Sequence, residues 1–133
     1  MSKTKQVIVI RRGDINMRRG KEIAQGCHAS LGVLFTEGMY HDSHVSDNGK
    51  FVLHLDKELK DWLQGSFTKI CVYVNSEKEL LDLRDKCIEK SHRHYLIRDN
   101  GLTEFKEPTY TALAIGPLFA EKFIGLTDHL PLL

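Results

Sequence analysis

The chain has 133 residues, 41% of them hydrophobic and 28% charged, with a formal net charge of +1, which suits one compact domain over residues 1–133 and leaves little room for two. No window reaches the roughly 18 consecutive apolar residues of a membrane helix, and the opening Met1-Ser2-Lys3-Thr4-Lys5 has no secretory apolar stretch, so a cytoplasmic protein is expected. Cys27, Cys71 and Cys87 are odd in number and include no C-x-x-C pair; they read as free thiols packed as small core residues.

The first predicted element is a strand. Gln6-Val7-Ile8-Val9-Ile10 is a continuous apolar run bounded by charge, the pattern of a strand buried on both faces. It leads into a basic region: residues 1–22 hold seven Lys/Arg (Lys3, Lys5, Arg11, Arg12, Arg18, Arg19, Lys21) against the acids Asp14 and Glu22. A local basic patch on an otherwise mildly acidic chain fits a phosphate-bearing partner or a solvated face, and the charges alone leave both open.

Asn16 is the expected cap of a helix that runs to about Phe35. Ile23, Ala24, Cys27, Leu31 and Leu34 fall on one arc of it, the expected buried face. Lys21, Gln25 and His28, at spacings of four and three, stack on a neighbouring stripe and look at a common point in space.

The polar stretch from Thr36 to Lys50 reads as a loop or a frayed helix end. FVLHL (Phe51 to Leu55) is a short strand or a lead into the helix DKELKDWLQG, which Gly65 stops. FTKICVYV (Phe67 to Val74) is a strand, and Ser76 with Glu79 forms a capping box opening a helix to about Lys90. HYLIRD (His94 to Asp99) and YTALAIGP (Tyr110 to Pro117) are strands; with no helix between Asp99 and Thr109, the last should run antiparallel. PLFAEKFIGLTDHL closes as a helix and tail. The fold class expected is α/β, a single domain with a four-stranded mixed, mostly parallel sheet flanked by helices.

Ligands of open α/β sheets bind beyond the carboxyl ends of the strands. The first strand ends at the region of Arg11 to Lys21 and the HYLIRD strand ends at Asp99, so Lys21 and His28 can meet Asp99 and Thr103 at one sheet edge. Asp99 and Asn100-Gly101 can also simply make a turn, and the residues by themselves favour that reading. His41 with His44 and His92 with His94 lack a supporting Cys or carboxylate at metal spacing and read as surface histidines, so neither metal nor cofactor is expected. GKEIAQG does not fit the phosphate-loop pattern.

KQVIVIRR, NMRRGKEIAQGCHASLG, LKDWLQGSFTKICVYVNSEKELLDL, HYLIRDNGLTEF, PTYTALAIGP and LTDHLPLL occur in this order. Together they resemble the peptidyl-tRNA hydrolases of the second type, known from archaea and eukaryotes and also from some bacteria and phages. The likeness covers nearly the whole chain and is interrupted mainly at residues 36–55. It implies an α/β enzyme, commonly a homodimer, that cleaves the ester between the peptide and the terminal ribose of peptidyl-tRNA. It also implies Lys21, Asp99, Thr103, Thr111 and His28 as the catalytic set, with Thr109 near Thr111 and Gln25 hydrogen-bonding within the site. Gly26 stands where the family usually has cysteine, with Cys27 one place later, and Asn100 replaces the alanine of the family's D-A-G segment.

In that scheme Asp99 orients or deprotonates the attacking water, directly or through Thr103 or Thr111. Lys21 stabilises the oxyanion or holds the terminal phosphate. Arg11, Arg12, Arg18 and Arg19 contact tRNA phosphates. Trp62 and Phe67 read as core or dimer residues. Two other readings stay open: a tRNA-binding or protein-interaction module of the same fold without catalysis, and a small-molecule enzyme using the same cleft.

Overall fold

The computed structural model describes residues 3–36, 42–101 and 105–133. The apolar run near the start forms β1 (Thr4–Arg11), buried along almost its whole length. Then follow α1 (Arg19–Phe35), β2 (Asp42–Val45), β3 (Phe51–His54), α2 (Lys57–Gln64), β4 (Lys69–Val74), α3 (Glu77–Glu89), β5 (His94–Asp99), β6 (Thr109–Phe119) and a short 3-10 helix over Ala120–Phe123.

Four strands make the main sheet in the order β4-β1-β6-β5. β1 and β4 pair in parallel, whereas β6 runs antiparallel to both β1 and β5. The sheet is therefore mixed as expected: β1, β4 and β5 point the same way, and the last strand, β6, runs against them and inserts between β1 and β5, which leaves one parallel ladder. The carboxyl ends of β4, β1 and β5 nevertheless share one edge, and α1 starts beside it.

β1 is buried on both faces because it is central. Ile8 and Ile10 face α1 together with Ala112 and Ala114. Val7 and Val9 face the opposite layer, where Leu80, Leu83 and Cys87 of α3 pack with Val72, Val74, Leu113, Ile115, Phe123 and Leu126. A third cluster joins Leu34 to Leu59 and Trp62 of α2.

α1 turns a different arc to the sheet than its apolar residues suggest. Its buried positions include Gln25, Gly26, Ala29, Ser30, Val33 and Leu34, whereas Ile23 is 61% exposed and Leu31 52%. Ala24 and Cys27 are also exposed. Small residues let the helix lie close: a Cβ on Gly26 would already be in van der Waals contact with Ile8 at 3.5 Å. Polar groups in the contact are paired, since fully buried Gln6 donates to the Ser30 carbonyl at 3.2 Å and accepts from the Ser30 hydroxyl. Apolarity marked the wrong arc because a close helix-to-sheet contact selects for size and hydrogen bonding as well as hydrophobicity.

Other boundaries differ too. α1 begins at Arg19 with Arg18 as its cap and no side-chain cap bond, so Asn16 does not cap it. Residues 42–45, expected as loop, pair with β3 in a hairpin. Its turn uses Gly49 at φ +81, with the Gly49 N–H donating to Ser46. After β6 only one short 3-10 turn forms, and the tail instead lies along β4, with Leu133 N–H donating to the Cys71 carbonyl and Leu132 bridging Val72. Cys87 is buried as expected, but Cys27 and Cys71 are exposed. His94, expected at the surface, is buried and its pKa is lowered, chiefly by desolvation. By contrast, the caps read from sequence at Ser76 and the helix stop at Gly65 are present.

Candidate active site

Two arginine clamps fix the segment between β1 and α1. Arg11 is 7% exposed; it donates to both carboxylate oxygens of Asp14, at 2.7 and 3.0 Å, and to the Tyr110 carbonyl at 3.0 Å. Asp14 also accepts the Glu77 N–H at 3.0 Å, tying the segment to the start of α3. The Arg11 guanidinium holds the Asp14 carboxyl below its ordinary range. Arg12 donates twice to Glu22 of α1, at 2.7 and 2.9 Å. These bonds set where α1 begins and therefore where Lys21 points.

At the end of β5, Asp99 Oδ1 accepts the Gly101 N–H at 2.9 Å, a local turn that closes on the strand end. Gly101 has φ +78, and a Cβ there would come within 2.7 Å of Glu107 backbone, so only glycine fits. The Asp99-Asn100-Gly101 segment thus does make the expected turn, and with Oδ1 held in that turn the other carboxylate oxygen, Oδ2, meets Lys21 of α1.

Lys21 Nζ lies 2.6 Å from Asp99 Oδ2, and Gln25 Nε2 donates to the same oxygen at 2.9 Å. The Lys21 and Asp99 side chains are only 15% and 11% exposed. The Lys21 hydrogen bond is the main cause that lowers the Asp99 pKa; burial opposes it, and Gly101 and Gln25 assist. Asp99 is consequently an anion at neutral pH and a weaker base than an ordinary carboxylate. Lys21 also faces the Phe105 ring, 5.9 Å from its centroid.

β6 contributes through a bulge. The β5–β6 register passes from Ile97↔Ala112 to Arg98↔Tyr110, so Thr111 is the extra residue. Tyr110 packs on the α3 side and Ala112 on the α1 side, so the bulge at Thr111 is where β6 switches the faces of its alternating side chains. Thr111 is fully buried, and its Oγ, like Gln25 Oε1, has no hydrogen-bond partner among the described residues. Thr109 is half-buried and donates to the Glu107 carbonyl at 2.9 Å. Thr103 lies outside the described residues. His28 is exposed on α1 and lines, with Gln25, Gly32, Tyr95, Asp99 and Asn100, a cleft of about 500 Å³.

The structure thus brings Lys21, Gln25 and Asp99 into contact and sets His28 on the wall of the adjoining cleft, while Thr111 is buried in the β6 bulge, between the register pairs of Ile97 and Arg98 of β5. Arg18 and Arg19 are exposed at the start of α1, whereas Arg11 is committed to Asp14 and Tyr110. The sequence reading missed Asp14 and Glu22 as arginine partners and missed Tyr95 with Gly32 in the cleft. The signal for Gly32 was its place four residues beyond His28, on the same helical stripe. Among the described residues no group of three or more His, Cys, Asp or Glu could hold a metal ion.

A mixed α/β sheet whose shared strand edge carries a Lys–Asp–Gln cluster beside a cleft defines the class of protein. The family model described as Peptidyl-tRNA hydrolase PTH2 matches residues 4–133, and the chain belongs to this family. It is 35% identical over 128 residues to a peptidyl-tRNA hydrolase of Methanocaldococcus jannaschii, covering 96% of this chain and 99% of that protein. A peptidyl-tRNA hydrolase of Methanopyrus kandleri is 36% identical over 129 residues, with 97% of each chain covered. A probable peptidyl-tRNA hydrolase 2 of Dictyostelium discoideum is 38% identical over 128 residues; the match covers 96% of this chain but 54% of that longer protein. A solved protein of unknown function from Agrobacterium tumefaciens shares the fold at TM-score 0.56 and 11% identity, covering 100% of this chain and 99% of that one.

Proposed function

We propose that residues 1–133 act as one catalytic domain that hydrolyses the ester between the peptide and the 3′-terminal ribose of peptidyl-tRNA, returning free tRNA to translation in the cytoplasm. The observation that carries this is the 2.6 Å contact of Lys21 with Asp99 at a cleft mouth, in a chain aligned almost end to end with archaeal peptidyl-tRNA hydrolases.

Water attacks the ester carbonyl, the bond to the ribose oxygen breaks, and that oxygen takes a proton. Lys21 is the group suited to the charge that develops, because an ammonium in a partly desolvated site stabilises an oxyanion and can donate to a leaving oxygen. Asp99 has little appetite for a proton while it holds Lys21. Its role is to aim Lys21 and to align the water through a remaining lone pair, with Thr111, and Thr103 as the resemblance implies, as hydroxyl relays. Gln25 locks the carboxylate. His28 positions substrate from the cleft wall, Thr109 holds the chain beside Thr111, and Arg18 and Arg19 take tRNA phosphates, with Arg12 beside them. The scheme uses no metal or cofactor. No helix among the described residues is long and apolar enough to cross a membrane, and the scheme assigns no membrane partner.

The reading includes a homodimer. Ile23, Cys27 and Leu31 form an exposed ridge at i, i+4 and i+8 on α1, beside a largely apolar groove with Phe67, Cys71 and Leu133. Such a ridge suits packing against its own copy across a twofold axis. Sedimentation should give twice the chain mass, and Leu31→Asp should return it to the monomer; a monomeric native chain sinks this part alone.

The deciding experiment is release of N-acetyl-amino acid from N-acetyl-aminoacyl-tRNA by the native protein and Asp99→Asn, with unblocked aminoacyl-tRNA as control and EDTA in one set. Cleavage of the blocked substrate that survives EDTA and is lost in the folded variant is expected. Salt-sensitive tRNA binding with no cleavage would overturn the reading in favour of a binding module.

A further inference from the structure

We propose that the cleft between α1 and β5 seats the terminal adenosine of the tRNA, with the ribose at Gln25 and the adenine against Tyr95; this rests on peptidyl-tRNA being the substrate. The cleft leads away from the reacting groups in one direction. One wall is the α1 stripe Gln25, His28 and Gly32, continuing from Lys21; the other is the β5 run from Asp99 and Asn100 back to Tyr95. From Asp99 to Tyr95 a strand covers about 13 Å, enough for a nucleoside whose sugar lies at the scissile ester. Its volume of about 500 Å³ lies in the range of sites for small organic groups, roughly 300–1,000 Å³.

The far end of the cleft is built around a fixed ring. A Cβ on Gly32 would fall 2.3 Å from the Tyr95 ring, so the absent side chain is what lets the ring lie against α1. Tyr95 also packs on the Ile8, Ile10 and Ala29 cluster, which keeps it from turning away. A half-buried, immobilised ring with the His28 imidazole across the cleft is the arrangement a planar base can use, and stacking on aromatic faces is a general mode of nucleobase binding.

Nearer the ester, Gln25 is 2% exposed, and its Oε1 lacks a partner while its Nε2 is engaged with Asp99. A buried amide oxygen at this position can accept the ribose 2′-hydroxyl, the donor adjacent to the esterified 3′-oxygen. The peptide varies from one substrate to the next, but the last nucleotide of tRNA does not. A cleft with a fixed aromatic wall and an unmatched acceptor is suited to that constant group.

The test uses adenosine 5′-monophosphate, its 2′-deoxy analogue and cytidine 5′-monophosphate, titrated into the native protein and followed by NMR. The adenosine nucleotide should move the Gly32, Tyr95 and His28 signals and inhibit cleavage competitively, the deoxy analogue should bind more weakly, and the cytidine nucleotide should do little. Tyr95→Leu should raise KM about tenfold with kcat nearly unchanged, and Tyr95→Phe should keep the native KM. Cleavage by the native protein with no response to the adenosine nucleotide, or an equal response to the cytidine one, overturns the subsite alone. So does a shift of these signals by N-acetyl-amino acid amides in place of nucleotides. Absence of cleavage overturns the underlying reading as well.

Discussion

Lys21 and Asp99 are separated by 78 residues in the chain and by 2.6 Å in space. Each sits where a secondary element meets the carboxyl edge of the sheet: Lys21 in the first turn of α1 and Asp99 at the last position of β5. β6 lies between β1 and β5, yet α1 crosses over it and bridges the gap. Replacing either group should therefore remove charge stabilisation without dismantling the fold. Lys21→Met and Asp99→Asn are each expected to lower kcat by about 10²–10³-fold, with tRNA affinity little changed. Single-turnover deacylation and filter binding, beside circular dichroism, check this; a variant that keeps native kcat would remove that residue from the machinery.

The pair also fixes the acid side of the pH profile. The Lys21 hydrogen bond holds the Asp99 pKa below its ordinary value, which for an unfolded chain is about 3.9. A depressed carboxyl contributes stability that is present above the unfolded pKa and lost as pH falls through the folded one. Activity should thus show no Asp99 protonation limb between neutral pH and the ordinary aspartate midpoint, and the Asp99 carboxyl resonance should titrate below that midpoint. In Lys21→Met that midpoint should rise. A native midpoint above the ordinary range would make Asp99 a general base instead of the group that aims Lys21.

The arginines separate into two kinds. Arg18 and Arg19 are exposed at the start of α1. Arg18→Ala and Arg19→Ala should each remove one phosphate interaction and flatten the dependence of log affinity on log salt by about 0.7–0.9. Arg11 is 7% exposed and bonded to Asp14 and the Tyr110 carbonyl. Arg11→Ala should instead cost stability, about 0.5–3 kcal/mol, by removing a buried side chain that ties exposed Asp14 to the half-buried Tyr110 carbonyl. Urea unfolding and salt titration of tRNA binding distinguish the two behaviours. An Arg11→Ala protein with native stability and a reduced salt slope would return that residue to the phosphate-binding set.

What the sequence made legible follows from what each element depends on. β1 was readable because a central strand buried on both faces needs a continuous apolar run, and Ser76 with Glu79 because a cap is a local hydrogen bond. A meeting of Lys21 with Asp99 was legible as a possibility, since helical spacing and strand ends locate it, although the residues alone favoured a simple turn at Asp99, and the contact of Gln25 with the same carboxylate was not foreseen. The buried arc of α1 was not legible: Gln25 and Ser30 are inside because Asp99 and Gln6 satisfy them, and those partners are 74 and 24 residues away. The commitment of Arg11 to Asp14 was missed because both looked like members of a surface charge cluster. β2 is short and polar, and only its pairing with β3 makes it a strand.

Three glycines of α1 carry the same residue type into three different surroundings, which yields a graded prediction. A Cβ at Gly20 would meet nothing within 4 Å, and at Gly26 it would touch Ile8 at an ordinary 3.5 Å. Alanine is about 0.8–1.0 kcal/mol better than glycine inside a helix, so Gly20→Ala should gain up to that amount, less for its place in the first turn. Gly26→Ala should gain somewhat less than a mid-helix position in open space, because Ile8 must accept the new contact. Gly32→Ala is opposite in sign: the same propensity gain meets a Tyr95 ring only 2.3 Å away, and overpacking of this kind costs about 1–3 kcal/mol. Urea denaturation should therefore rank the variants Gly20→Ala and Gly26→Ala above the native chain and Gly32→Ala below it. If Gly32→Ala proved as stable as Gly26→Ala, Tyr95 would have to leave its place against the helix at little cost, and the ring would not be the fixed wall of the cleft.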